Sequence, residues 1–163
     1  MTNSNLSSTP LSPQAPARNK TFLRLLTAIT GVSFIGFVDS AYLLVDHYFK
    51  LPLPCSITHG CEAVLTSPYA MVGPIPLAFF GVLYYLVVMF FALYLYTERA
   101  VSRTQILAIF ALTLVGFLMS VMFMSIQIFL IKAICLYCAF SALCTALLLI
   151  CGGWLERTHR TTA

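Results

Sequence analysis

Four apolar stretches, each long enough to cross a bilayer, decide what this chain can fold into. They cover about residues 22–48, 75–96, 105–131 and 133–155. A helix crosses the hydrocarbon in about 20 residues. Of the 163 residues, 60% are hydrophobic and 9% charged, against about a quarter charged in a soluble domain. The sequence therefore predicts an all-α integral membrane protein. Its architecture would be a four-transmembrane-helix bundle with an extracytoplasmic loop that contains a short surface helix. No space is left for a large soluble domain.

The flanking segments have a different composition. Residues 1–20 are rich in Ser, Thr, Asn and Pro and are expected to form a disordered cytoplasmic tail. They do not read as a secretory signal, because the polar stretch precedes the apolar one and no small-residue cleavage site follows. Residues 21–156 would be the membrane domain and 157–163 a second cytoplasmic tail.

Lys and Arg set the orientation. Arg18, Lys20, Arg24, Arg99, Arg103, Arg157 and Arg160 fall on one side of the spans, and only Lys50 and Lys132 on the other. By the positive-inside rule both termini and the 98–103 turn are cytoplasmic. The 49–74 loop and the turn at Lys132 then face outward, in a multi-pass protein. Trp154, Tyr94 and Tyr96 suit an inner aromatic belt, and Tyr42, Tyr48 and Tyr69 an outer one. The formal charge of +4 reflects this orientation. No Lys/Arg cluster tracks phosphates, so nucleic acid is not an expected partner. No phosphate-cradling Gly loop or Ser-His-Asp signature occurs.

Two cysteine pairs fall on the outward side, where disulfides persist. Cys55 and Cys61 lie in the loop, and Cys135 and Cys138 form a C-x-x-C at the start of the last apolar stretch. Thiol–disulfide exchange passes electron pairs between neighbouring dithiols. Cys135 would begin a helix just after Lys132, and both features favour its thiolate. Cys138 falls one turn deeper on the same face. One thiol near the surface and one facing the apolar interior suit transfer from a water-soluble protein to a lipid-soluble acceptor. The alternative is two structural cysteines packed as small hydrophobes. For the loop pair, Glu62 to Leu65 reads as a short surface helix with Cys61 at its start. A static staple is the alternative there.

Other residues are weighed in the same way. Gln127, about 6 Å inside the outer end of the third span by helix rise, has an amide able to donate to a quinone carbonyl, or to glue helices together. Asp39 is an intramembrane carboxylate and so a candidate for function, on a proton path, or a hydrated group near the interface. His59 lies between the loop cysteines, but the spacing makes no zinc pattern, and no metal is expected. Cys144 and Cys151 read as packing residues. Gly36 with Ser40, and Ser141 with Thr145, are small pairs that let helices approach.

Taken together, Cys55, Cys61, the run Glu62 to Ser67, Gly73-Pro74-Ile75-Pro76 leading into a helix with Gly81, and Cys135-Leu136-Tyr137-Cys138 resemble the vitamin K epoxide reductase family in its bacterial form. The resemblance covers about residues 22–155. It implies a four-helix bundle around a quinone pocket, capped by the loop and its surface helix. It also implies a quinone-dependent thiol–disulfide oxidoreductase that supports disulfide formation. Cys55, Cys61, Cys135 and Cys138 would be catalytic, with Ser67 supporting the exchange and Gln127 and Cys138 at the quinone. The acceptor would be ubiquinone or menaquinone. Many bacterial members carry a fused thioredoxin-like domain. Here the partner is expected to be a separate thioredoxin-fold (DsbA-like) protein. Ala142 stands where vertebrate enzymes have a Tyr, which favours plain quinone over the epoxide. Two other readings stay open: a metal-binding membrane protein using Cys55, His59, Cys61, Cys135 and Cys138, and a non-catalytic four-span scaffold.

Overall fold

The computed structural model describes residues 20–49, 60–98 and 100–162. Arg18, Lys50, Cys55, His59, Arg99 and the segment 1–19 lie outside the described residues. Four helices are long and apolar enough to cross a membrane, so the chain is a multi-pass membrane protein. They are α1 (Lys20–Phe49), α3 (Leu77–Thr97), α4 (Arg103–Ile126) and α5 (Leu136–Thr162). The short helix α2 (Gly60–Leu65) lies between α1 and α3. Much of each span's surface is apolar and exposed, as at Phe90, Phe129, Leu136 and Leu143. Lipid is the natural solvent for such a surface.

Helix α1 is the centre of the bundle. It packs chiefly on α3 and α5, α4 packs on α5, and α3 touches α4 sparsely. Leu26, Ile29, Tyr85, Val88, Ile109, Leu148 and Leu155 form the core among them. Small residues let α1 and α3 approach. A Cβ at Gly36 would lie 2.3 Å from a ring carbon of Tyr85. One turn along α1, Ser40 faces Gly81 of α3, where an added Cβ would lie 2.8 Å from the Ser40 hydroxyl oxygen. The Tyr85 side chain then reaches across to α5. Its hydroxyl lies 2.9 Å from the Ser141 carbonyl and 2.8 Å from the Ser141 hydroxyl. Removing that phenolic oxygen (Tyr85→Phe) is expected to lower stability by about 1 kcal/mol, read from the denaturation midpoint in detergent.

Helix α4 starts at a capping box. The Gln105 N–H donates to the Ser102 hydroxyl at 3.4 Å, and the Ser102 N–H donates to the Gln105 side-chain Oε1 at 2.8 Å. This arrangement satisfies two N–H groups that the first turn leaves open. At the other end of the chain, α5 continues to Thr162, well past the limit near residue 155 that hydrophobicity alone gives. Glu156 and Arg160 pair one turn apart on this extension and help a polar helix to continue beyond the apolar span.

The segment after α2 differs from the sequence reading. It holds a 3-10 turn (Pro68–Ala70) and a hairpin of β1 (Met71–Val72) with β2 (Ile75–Pro76). The strands are antiparallel, with Met71 opposite Pro76 and Val72 opposite Ile75. Gly73 sits in the turn at φ +64, where an L side chain is strained. Two-residue strands are too short for alternation to show in a sequence. Tyr42 is partly buried, with its ring 5.5 Å from that of Tyr137. It therefore packs against the C-x-x-C segment, whereas Tyr48 and Trp154 stay exposed.

Candidate functional site

The site begins where α4 changes pitch. Its last turn is a π-helix (Gln127–Ile131) that ends at Lys132 in the left-handed conformation, φ 56 and ψ 29. The wider turn leaves the Gln127 carbonyl to accept the Lys132 N–H and, at 3.3 Å, the Ala133 N–H. The Gln127 side chain continues the pattern. Its carbonyl oxygen accepts the Cys135 N–H at 3.0 Å, a buried bond. The sequence expects Cys135 to begin a helix, and α5 starts at the next residue, Leu136. The Cys135 carbonyl accepts the Ala139 N–H at 3.0 Å.

The cysteines separate into two environments. Cys61 and Cys135 are both fully buried and share a small hydrophobic cluster with Val64, apart from the main core. Cys61 sits in the first turn of α2 and is disulfide-bonded. Cys135 and Cys138 are free thiols. Cys138, one turn further into α5, lines a cavity of about 450 Å³. That is an ordinary size for a small-molecule pocket. The cavity walls are mostly apolar, with His47, Tyr69, Tyr84, Gln127 and Ser141 among the polar groups.

The Cys135 thiol is pulled down from 9.0 to about 7. The main cause is a hydrogen bond from the Cys138 thiol. Burial opposes this, and the N–H groups of Cys138 and Tyr137 at the start of α5 add to it. A thiol with a midpoint near 7 is about half thiolate at neutral pH, and the thiolate is the nucleophile. In fully reduced protein, alkylation of Cys135 followed by mass spectrometry is expected to rise with pH through a midpoint near 7. Cys138→Ala should move that midpoint upward.

Ser67 stands just beyond α2. Its hydroxyl donates to the Val64 carbonyl at 2.7 Å, and it also lines the cavity. It therefore closes the helix that carries Cys61, by a contact with Val64 of the same cluster. Ser67→Ala is expected to cost about 1 kcal/mol and to loosen α2, seen as faster hydrogen exchange at the amides of residues 61–65. Asp39 has one buried carboxylate oxygen without a hydrogen-bond partner among the described residues. Cys144 packs in the main core and Cys151 against it. Among the described residues no group of three or more His, Cys, Asp or Glu side chains is arranged to hold a metal.

Sequence reasoning overlooked His47, Tyr69, Tyr84 and Tyr85 as parts of the site. One signal was available. Ser40, Leu43 and His47 follow the i, i+3, i+7 spacing of one helix face, and all three line the cavity.

Comparison with curated proteins gave no match. A family model described as the vitamin K epoxide reductase family matches residues 27–152. The match takes in all four spans, α2, the hairpin and the C-x-x-C. Members of this family are membrane oxidoreductases that act on quinone-type substrates and work with redox partners. With most of its length inside that match, this chain belongs to the vitamin K epoxide reductase family.

Proposed function

We propose that the protein is a quinone-dependent thiol oxidase that reoxidises an extracytoplasmic thioredoxin-fold partner and so supports disulfide formation. One observation supports this reading: Cys135 is buried in one cluster with Cys61, while Cys138, packed against that cluster, also lines the cavity. The C-x-x-C would then link the loop cysteine to a pocket that suits a lipid-soluble ring.

A reduced partner attacks a Cys55–Cys61 disulfide at Cys55, and the partner's second thiol resolves the mixed disulfide. The Cys61 thiolate attacks Cys135 of a Cys135–Cys138 disulfide, which releases Cys138 as thiolate. Cys55 then displaces Cys135 and restores the loop disulfide. The Cys135–Cys138 dithiol closes again by giving two electrons and two protons to a quinone, which leaves as quinol. Cys61 oxidised with Cys135 and Cys138 reduced is the state that precedes this last transfer. Both termini would be cytoplasmic and the loop extracytoplasmic, following the Lys/Arg distribution. Apolar walls with a few polar groups suit ubiquinone or menaquinone. Cys138 and Gln127 would meet the ring, and no metal takes part.

The test is reconstitution. Purified protein, a reduced thioredoxin-fold dithiol and a soluble quinone should give quinol and partner disulfide in equal amounts. Single Ala substitutions at Cys55, Cys61, Cys135 and Cys138 should each stop turnover. Wild-type turnover in all four would refute the relay.

A further inference from the structure

Gln127 makes more contacts than a pocket-lining residue needs. Its backbone carbonyl holds the Lys132 and Ala133 N–H groups, and its side-chain oxygen holds the Cys135 N–H. One residue thus fixes most of the connection between α4 and the C-x-x-C. The side chain is 4% exposed, so an unpaired group there is costly. The amide is planar. With its oxygen committed to Cys135, its NH2 group must point along the other branch of the fork. On that side lie the cavity and the Cys138 thiol, which the Gln127 side chain touches.

We propose that Gln127 is a positioning residue that grips both cysteines, holding Cys135 through its backbone N–H and offering its NH2 group to the sulfur of Cys138, whose S–H in turn donates to the Cys135 thiolate. The proposal rests on the C-x-x-C being the redox centre assigned above. The π turn has a role in this arrangement. Pitch changes of this kind recur at functional sites, and here the change brings the Gln127 side chain under the first residue of the motif. Donation to the Cys138 sulfur strengthens its S–H as a donor to the Cys135 thiolate, which stabilises the reduced dithiol, and a stabilised reduced form makes a dithiol couple more oxidising. Gln127 would therefore raise the potential of the Cys135–Cys138 couple, which makes it readier to accept electrons from Cys61.

The experiment is a redox titration of the purified full chain. The protein is equilibrated in oxidised and reduced dithiothreitol mixtures, and the Cys135–Cys138 state is read by thiol tagging and mass. No quinone or protein partner is needed, so the result does not depend on whether quinone is reduced. Gln127→Met keeps the length and apolar bulk of the side chain. It should shift the equilibrium about tenfold toward the disulfide, about 30 mV more negative for this two-electron couple. An equilibrium constant within twofold of wild type, with the helix content retained, overturns the proposal.

A second measurement needs no substitution at Gln127. The chain has three glutamines, Gln14, Gln105 and Gln127. In protein labelled with side-chain 15N-glutamine, Gln14→Ala and Gln105→Ala identify the Gln127 NH2 pair by elimination. That pair should move when the dithiol is oxidised, because its acceptor sulfur enters a disulfide. An unmoved pair overturns the proposal even if Gln127→Met does not fold.

Discussion

Cys138→Ala is expected to reduce quinone turnover by at least about a thousandfold, the scale seen when a reacting side chain is removed, while leaving the first exchange intact. Cys135 is buried against Cys61 and carries a thiol with a midpoint near 7. In the variant, the Cys135 thiolate can still attack the Cys61 sulfur and displace its bonded partner. The Cys55 thiolate released in that step can reverse it, so an alkylating reagent that caps Cys55 should make a Cys61–Cys135 cross-link accumulate, visible by mass after non-reducing digestion. Cys135→Ala loses turnover as well, but it cannot form that cross-link. If the Cys138 variant kept its turnover, Cys138 would not be the sulfur that serves the acceptor. If turnover stopped but no cross-link appeared, Cys61 and Cys135 would not be the exchanging pair.

The second large effect is structural. Gly36→Ala should destabilise the bundle by about 1–3 kcal/mol, the usual cost of overpacking. Helix propensity works the other way, since Ala is better than Gly by about 1 kcal/mol. The contact geometry decides between them. The added carbon would meet three ring atoms of Tyr85, at 2.3, 2.4 and 2.7 Å. The ring has no room to retreat, because Tyr85 is 1% exposed and its hydroxyl is held at Ser141 on α5. Relief requires α1 and α3 to separate or Tyr85 to leave Ser141. Either change disturbs the wall that Tyr85, Ser141 and Cys138 contribute to the cavity. Denaturation in detergent measures the loss. Pairing the change with Tyr85→Leu should recover part of it, because the two residues share one contact. A Gly36→Ala variant as stable as the wild type would mean that α1 and α3 do not approach this closely.

The bundle was legible because long apolar runs leave few alternatives once their length matches a bilayer. The expected third span and the observed α4 with its π turn both end at Ile131. The relative depth of Cys135 and Cys138 was legible from helix spacing: Cys138 falls one turn below Cys135, and it is Cys138 that lines the cavity. The role of Gln127 was only half visible. A polar residue at that depth signals a partner, but the partner is a backbone N–H eight residues on, brought close by a π turn and a left-handed Lys132. Neither local conformation leaves a reliable mark on composition. Tyr85 was hidden for another reason. In α3, a helix apolar on nearly every side, the sequence gives no face to distinguish inside from outside. The small residues opposite it, Gly36 and Ser141, held the information, but pairs of that kind are common by chance.

The sparse contact between α3 and α4 has a kinetic consequence. Phe80 of α3, with Val115 and Met119 of α4, line the cavity and are also 41%, 57% and 46% exposed. If these residues face lipid, a lipid-soluble substrate of the proposed reaction would reach the chamber between them, from the acyl chains. A substrate using that path is counted per lipid, not per litre of buffer. Diluting the protein with extra lipid at fixed total quinone should slow the reaction as though substrate had been withdrawn, and diluting the aqueous phase should leave the rate unchanged.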